Sequence, residues 1–339
     1  MHEGARRSIP PRRAQQAGAL PRQVQGLRLS AAATHPRLDA LIARARGEQR
    51  AGQPPLGIVY PCDAAALRAA QRTVEEGIAR PMLIGPREAI ARAADTAGID
   101  FGAFELAATG DDPRDAALHA VRLARDGAVG ALMKGSLHTD ELMSSVIHKS
   151  TGLRGETRIS HAFVFDLPRY PKLLALADCV VNIAPHVPAK RDILSNAIGL
   201  LRTLGVVQPK VGILAAVETV NPAIQATMDA QSLVDLAREH HEWGDAIVEG
   251  PLGFDNAVSA EAARTKGIES QVSGDADLLL VPDLNAGNLL YKSFIYIGGG
   301  ECAGLVLGAR VPIVLTSRAD SLKARIASIA LAMIAGTDR

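Results

Sequence analysis

From about residue 36 onward, short apolar runs alternate with longer amphipathic, alanine-rich stretches, and this alternation restricts the chain to strands joined by crossover helices. Runs at 56–60, 81–84, 129–133, 161–165, 179–183, 211–215, 246–248, 278–281, 304–307 and 313–315 read as buried strands. Helical spacing fills 64–76, 88–97, 116–125, 189–204, 232–239, 259–266, 286–291 and a long final stretch, 320–334. Strands that alternate with helices pair mostly in parallel, and this many strands predicts two sheets. The expected fold is therefore α/β and two-lobed, with mostly parallel sheets and flanking helices. A first domain is expected over 37–155 plus 311–339 and a second over 156–310.

The length of 339 residues suits two lobes better than one core. A hydrophobic fraction of 47% against an aromatic fraction of 3% means a core of Ala, Val, Leu and Ile, with few rings on which bases could stack. A net charge of +1 gives no global field to recruit a nucleic acid or an anionic membrane, so neither is an expected partner and any phosphate recognition is local. Cys62, Cys179 and Cys302 are too scattered for a disulfide framework or a zinc site, which fits a reducing cytoplasm, and no metal is expected. No uninterrupted apolar run approaches the roughly 20 residues needed to span a bilayer. Residues 1–36 are rich in Arg and Pro, with Glu3 as the sole acid, and read as a disordered leader, a solvated tail or an over-long start, with a targeting or nucleic-acid-binding segment as the alternative because the Arg-rich, acid-poor character is loosely similar to an organelle transit peptide. They lack the apolar region of a secretory signal.

In open α/β sheets ligands lie beyond the carboxyl ends of the strands. There the sequence places Lys134, Gly135 and Ser136 after 129–133, Asn285 and Asn288 after 278–281, and Thr316 to Ser321 after 313–315. The last segment is the best anion site, because Ser317 brings a hydroxyl, Arg318 a forked cation, and the turn its free N–H groups. The plain alternative is a helix start with Ser317 or Asp320 as N-cap. Lys134-Gly135-Ser136 resembles half of a phosphate loop without the full spacing, and otherwise reads as a tight turn with a solvated lysine. Gly298-Gly299-Gly300 reads as a plain connection. Glu218 and Asn221, and Asp255 with Asn256, sit in Gly- and Pro-punctuated loops, where such residues are more often turn formers than catalysts. His138, His161 and His186 share no spacing that points to a common role.

Five strings together resemble the phosphate acetyltransferase and phosphate butyryltransferase family, especially its butyryl-like branch. They are ALMKGSLHTDELM (131–143), AVETVNP (216–222), EGPLGFDNAVS (249–259), SGDADLLLVPDLNAGNLLYK (273–292) and GARVPIVLTSRADS (308–321). The chain is also similar to the transferase part of bifunctional enoyl-CoA hydratase and phosphate acetyltransferase proteins. The leader is too short to hold the hydratase part, so enoyl-CoA hydration is expected to be absent. The resemblance implies a fold of the isocitrate and isopropylmalate dehydrogenase type, an active site in the interdomain cleft and a homodimer. It implies that Arg318 binds phosphate and Ser317 stabilises the acyl oxyanion, with Lys134, Gly135, Asn285, Asn288 and Lys292 lining the cleft. Ser136, Glu218, Asn221 and Asp255 are counted as further substrate-binding candidates.

Acetyltransferases of the family carry an Asp on the final helix, seven residues after the motif Ser. Here that position is Ala324, and Asp320, expected on the same helical face one turn earlier, is the candidate for the base that takes the thiol proton. The expected reaction is acyl-CoA plus phosphate giving acyl phosphate plus coenzyme A, on a short acyl chain such as acetyl or butyryl, with both substrates bound together. Coenzyme A is then a substrate and no cofactor is expected, while an acyl kinase is an expected functional neighbour. Two other readings stay open at this point. One is a nicotinamide-dependent dehydrogenase of the same broad fold, and the other is an acyl-CoA-sensing protein without turnover.

Overall fold

The computed structural model describes residues 34–317 and 319–336. In chain order its elements begin with α1 (Pro36–Glu48), β1 (Leu56–Val59), α2 (Ala64–Glu75), β2 (Pro81–Gly85), α3 (Arg87–Ala97), β3 (Glu105–Ala108), α4 (Pro113–Arg125), β4 (Ala131–Lys134) and α5 (Thr139–Val146). They continue with β5 (Ser160–Asp166), β6 (Leu174–Ala177), α6 (Val187–Thr203), β7 (Lys210–Leu214), α7 (Gln225–His240), β8 (Ile247–Leu252), α8 (Phe254–Val258) and α9 (Ala260–Thr265). Last come β9 (Leu278–Leu280), α10 (Leu284–Tyr296), β10 (Glu301–Leu307), β11 (Ile313–Val314) and α11 (Leu322–Gly336).

The strands form one continuous sheet in the order β3-β2-β1-β4-β11-β10-β5-β6-β9-β7-β8, so the two sheets expected from the strand count are a single one. A fully parallel half, β3 to β11, comes from residues before 135 and from 313–314. The other half ends in the parallel set β6-β9-β7-β8. Antiparallel pairings of β10 with β5, β5 with β6, and β10 with β11 join the halves. The waist is narrow, because β11 meets β10 through the single pair Ile313 and Val306.

Helices cover both faces, which is why the strands are continuously apolar: Leu56, Ile58 and Val59 of β1 and Leu132 and Met133 of β4 are all buried. α2 starts where Asp63 accepts the Ala66 N–H at 2.7 Å, and it buries Leu67, Ala69, Ala70 and Thr73. α11 is buried on nearly every side, packing against α1, α2 and β10.

Several expectations are corrected. The run 179–183 is not a strand, because the buried Asp178 carboxylate accepts the N–H groups of Val180 (2.9 Å) and Val181 (3.0 Å) and the Asn182 amide (2.7 Å). Those bonds curl the segment into a turn, and the strand lies just upstream as β6. β3 escaped notice because it is a half-exposed edge strand without an apolar run. α1 and α5 were also missed, and Pro36, counted with the leader, opens α1. The rest of the expected leader, residues 1–33, lies outside the described residues.

Candidate active site

The carboxyl ends of β4 and β11 lie side by side, and the turns that leave them line a cleft of about 600 Å³. Its polar side holds Lys134, His138, Thr139, Thr316 and Ser317 together with Asn288 and Lys292 from α10. Its apolar side holds Leu137, Phe163, Val180, Tyr291, Tyr296 and Leu315. Phe163 and Tyr291 stack with centroids 4.3 Å apart, a ring pair that stands out in a chain with so few aromatics. Burial pushes the Tyr291 phenol above its ordinary pKa.

The β4 exit is strapped to the β1 exit. Gly135 and Ser136 donate their N–H groups to the carbonyls of Val59 (2.8 Å) and Tyr60 (2.9 Å). The Ser136 hydroxyl also donates to the Tyr60 carbonyl at 2.8 Å and accepts the Cys62 N–H at 3.1 Å. A Cβ on Gly135 would lie 2.5 Å from each of those two carbonyl oxygens, so only glycine fits this crossing. Lys134 is thereby held at the cleft wall, with Nζ donating to the carbonyls of Gly135 and Leu137 at 3.1 Å. Gly135 and Ser136 shape this turn and do not line the cleft.

α10 forms the opposite wall. Asp283 caps it by accepting the Ala286 N–H at 2.9 Å. Gly287 lets it sit close, since a Cβ there would meet Val281 at 2.9 Å and the Asp178 carbonyl at 3.0 Å. Asn288 and Lys292, four residues apart, then share the face toward the cleft, while Asn285 is exposed at the helix start and does not line it.

The β11 exit carries the strongest sequence candidate. Ser317 is exposed to the cleft, its oxygen accepts the Ala319 N–H at 3.3 Å, and its hydroxyl proton remains available to a ligand. Arg318 lies outside the described residues. The Asp320 carboxylate accepts the Ser317 N–H at 2.6 Å. Burial raises its pKa above the ordinary carboxylate value and nearby Glu301 adds to the rise, while the Ser317 N–H, Arg325 and Lys134 act in the opposite direction. Asp320 precedes α11 and is not on its face as the sequence suggested, because the helix is capped by Ser321, whose oxygen accepts the Ala324 N–H at 2.9 Å. Neither Ser317 nor Asp320 is the N-cap.

Three other candidates fall elsewhere. Glu218 and Asp255 share Lys266, at 2.7 and 3.1 Å, and Glu218 also accepts from Asn256. Asn221 shapes the turn into α7, accepting the Ala223 N–H at 2.9 Å while its own N–H reaches Thr227 Oγ1 at 2.8 Å. None of the three lines the cleft. Sequence reading missed Thr139, Phe163, Tyr291 and Arg325 as site residues. Arg325 had a legible signal as a lone cation in the apolar run 324–334. Among the described residues no group of three or more His, Cys, Asp or Glu side chains could hold a metal ion.

Fold and cleft define an α/β protein whose donors and cations gather at strand exits beside an apolar wall, the arrangement of an enzyme that transfers a group between an anion and a partly apolar substrate. Residues 110–333 match the family described as phosphate acetyl/butaryl transferase. The chain is 48% identical over 299 residues to a phosphate acetyltransferase of Rhizobium meliloti, covering 87% of this chain and 92% of that one. It is 36% identical over 272 residues to a phosphate butyryltransferase of Clostridium beijerinckii, covering 80% and 89%. Among solved structures, a branched-chain phosphotransacylase from Enterococcus faecalis V583 superimposes with a TM-score of 0.74 at 28% identity, covering 84% of this chain and 99% of that one. The chain belongs to the phosphate acetyl/butaryl transferase family, whose members are acyltransferases.

Proposed function

We propose that this chain transfers a short acyl group between coenzyme A and inorganic phosphate, with both substrates in the cleft at once. The observation that carries the reading is the convergence of the Ser317 hydroxyl, Lys134, Lys292 and Asn288 on one cleft whose other side is apolar. The polar side suits phosphate and the thioester carbonyl, and the Phe163, Tyr291 and Val180 side suits the acyl chain. Family membership supports the same assignment.

In the direction of acyl-CoA formation, Asp320 takes the thiol proton, which a thiol of pKa about 8.5 largely retains at neutral pH. The thiolate attacks the acyl carbon, the C–S bond forms, and the Ser317 hydroxyl donates to the oxyanion. The bond from the acyl carbon to the phosphate oxygen then breaks and phosphate leaves. Arg318 is assigned to hold that phosphate on the family resemblance alone. No cofactor is required in this reading.

A homodimer belongs to the proposal and is supported by exposed apolar side chains on and just beyond α10, Leu289 at 67% and Ile297 at 87% exposed. A cytoplasmic location goes with the free cysteines Cys62, Cys179 and Cys302, and an acyl kinase is the natural consumer of the acyl phosphate. No helix among the described residues is long and apolar enough to cross a membrane. The test is thiol release from a panel of acyl-CoA substrates, two to six carbons long, with and without phosphate. Release that depends on phosphate and favours the shorter chains is expected, and its absence across the panel overturns the reading.

A further inference from the structure

Arg325 breaks three local preferences at once. It is 7% exposed and is the one charged side chain in the buried stretch 324–334 of α11, where an unpaired cation is costly. It also sits in the first turn of that helix, where the peptide dipoles disfavour positive charge. Among the described residues no carboxylate forms an ion pair with it. Its donors go instead to the β11 exit, Nη1 to Thr316 Oγ1 at 3.0 Å and Nη2 to the Ser317 carbonyl at 2.6 Å. A residue that local rules reject and that holds a cleft-lining turn is expected where function demands it.

We propose that Arg325 is a positioning residue for acyl transfer: its planar fork locks the Thr316–Ser317 turn so that the Ser317 hydroxyl faces the reacting carbonyl. The inference rests on the reading of this cleft as the transfer site. Two bonds from one rigid guanidinium fix both residues of the turn, and a lysine, with a single ammonium centre, cannot reproduce that geometry. Asp320 is faced by Arg325 from α11, Glu301 and Cys302 from β10, Lys134 from β4 and Tyr291 from α10. Glu301, bonded to the Ser321 hydroxyl at 2.6 Å, disfavours the charged carboxylate, whereas the two cations favour it.

The test measures acyl-CoA formation against pH for wild type, Arg325→Met and Arg325→Lys, after circular dichroism and melting show that each is folded. Arg325→Met is expected to lower kcat on the order of 10² with little change in KM, and to move the acid limb of the profile to higher pH. Arg325→Lys is expected to recover part of kcat with the limb at its wild-type position. A kcat for Arg325→Met within about threefold of wild type overturns the proposal, and so does a loss of kcat with an unmoved acid limb, which marks a packing role alone. If Arg325→Met does not fold, Arg325→Gln, which keeps a donor for the Ser317 carbonyl without the charge, is read by the same two outcomes. A wild-type protein inactive toward every acyl substrate overturns the functional reading itself, so the two failures are told apart.

Discussion

The proposed outward donation of Ser317 follows from how its neighbours occupy the rest of its bonding capacity. Its N–H goes to Asp320, its carbonyl accepts from Arg325 and its oxygen accepts from Ala319. Among the described residues nothing accepts its hydroxyl proton, which is the donor proposed for the oxyanion. Ser317→Ala is expected to lower kcat on the order of 10² with KM little changed, and steady-state kinetics check it. Asp320 works as a base only when ionised, and burial raises its pKa, so acyl-CoA formation is expected to fall as pH drops through that raised value. Asp320→Asn is expected to slow acyl-CoA formation and remove the acid limb. Near-normal turnover in a folded Asp320→Asn protein leaves Asp320 as a turn former only. Gly135→Ala is expected to destabilise the fold by about 3 kcal/mol, since its Cβ would sit against two backbone oxygens, and the denaturant midpoint reads this directly.

Two helices give the cleft its character in different ways. α11 is apolar and buried throughout its middle, so its start cannot drift and the β11 turn inherits that rigidity through Arg325 and Ser321. α10 is the reverse, burying only Gly287 and Phe294 while Asn288, Tyr291, Lys292 and Tyr296 line the cleft. The exposed apolar side chains on and just beyond it are proposed to meet a second copy, so a Leu289→Glu, Ile297→Glu double variant is expected to weaken association at least about tenfold. Light scattering after size exclusion reads the result as a fall toward the monomer mass, and an unchanged mass places any dimer contact elsewhere.

At the scale of the molecule, the cleft lies where the parallel half of the sheet meets the antiparallel pair β10 and β5, with Ser317 and Lys134 leaving the one and Phe163 rising from the other. A cleft fed from both halves favours two substrates held together. Initial-rate plots are therefore expected to intersect, and no coenzyme A burst is expected without phosphate. Parallel lines or such a burst indicate a covalent acyl-enzyme instead.

The α/β class and the candidacy of the 316–321 turn were legible in the sequence, because continuous apolar runs and strand-exit polar residues are local signals. The resemblance, also read from the strings, led to the family. The folded structure fixed what depends on packing between elements and on side-chain contacts that no propensity records. It curled 179–183 around Asp178, merged two expected sheets into one through β10 and β5, and sent Glu218 and Asp255 to Lys266 and away from the cleft. It also gave Asp320 and Arg325 their places at the turn. A side chain's chemistry is set by its sequence, but its burial and the geometry of its hydrogen bonds are fixed only once the strands and helices around it have packed together.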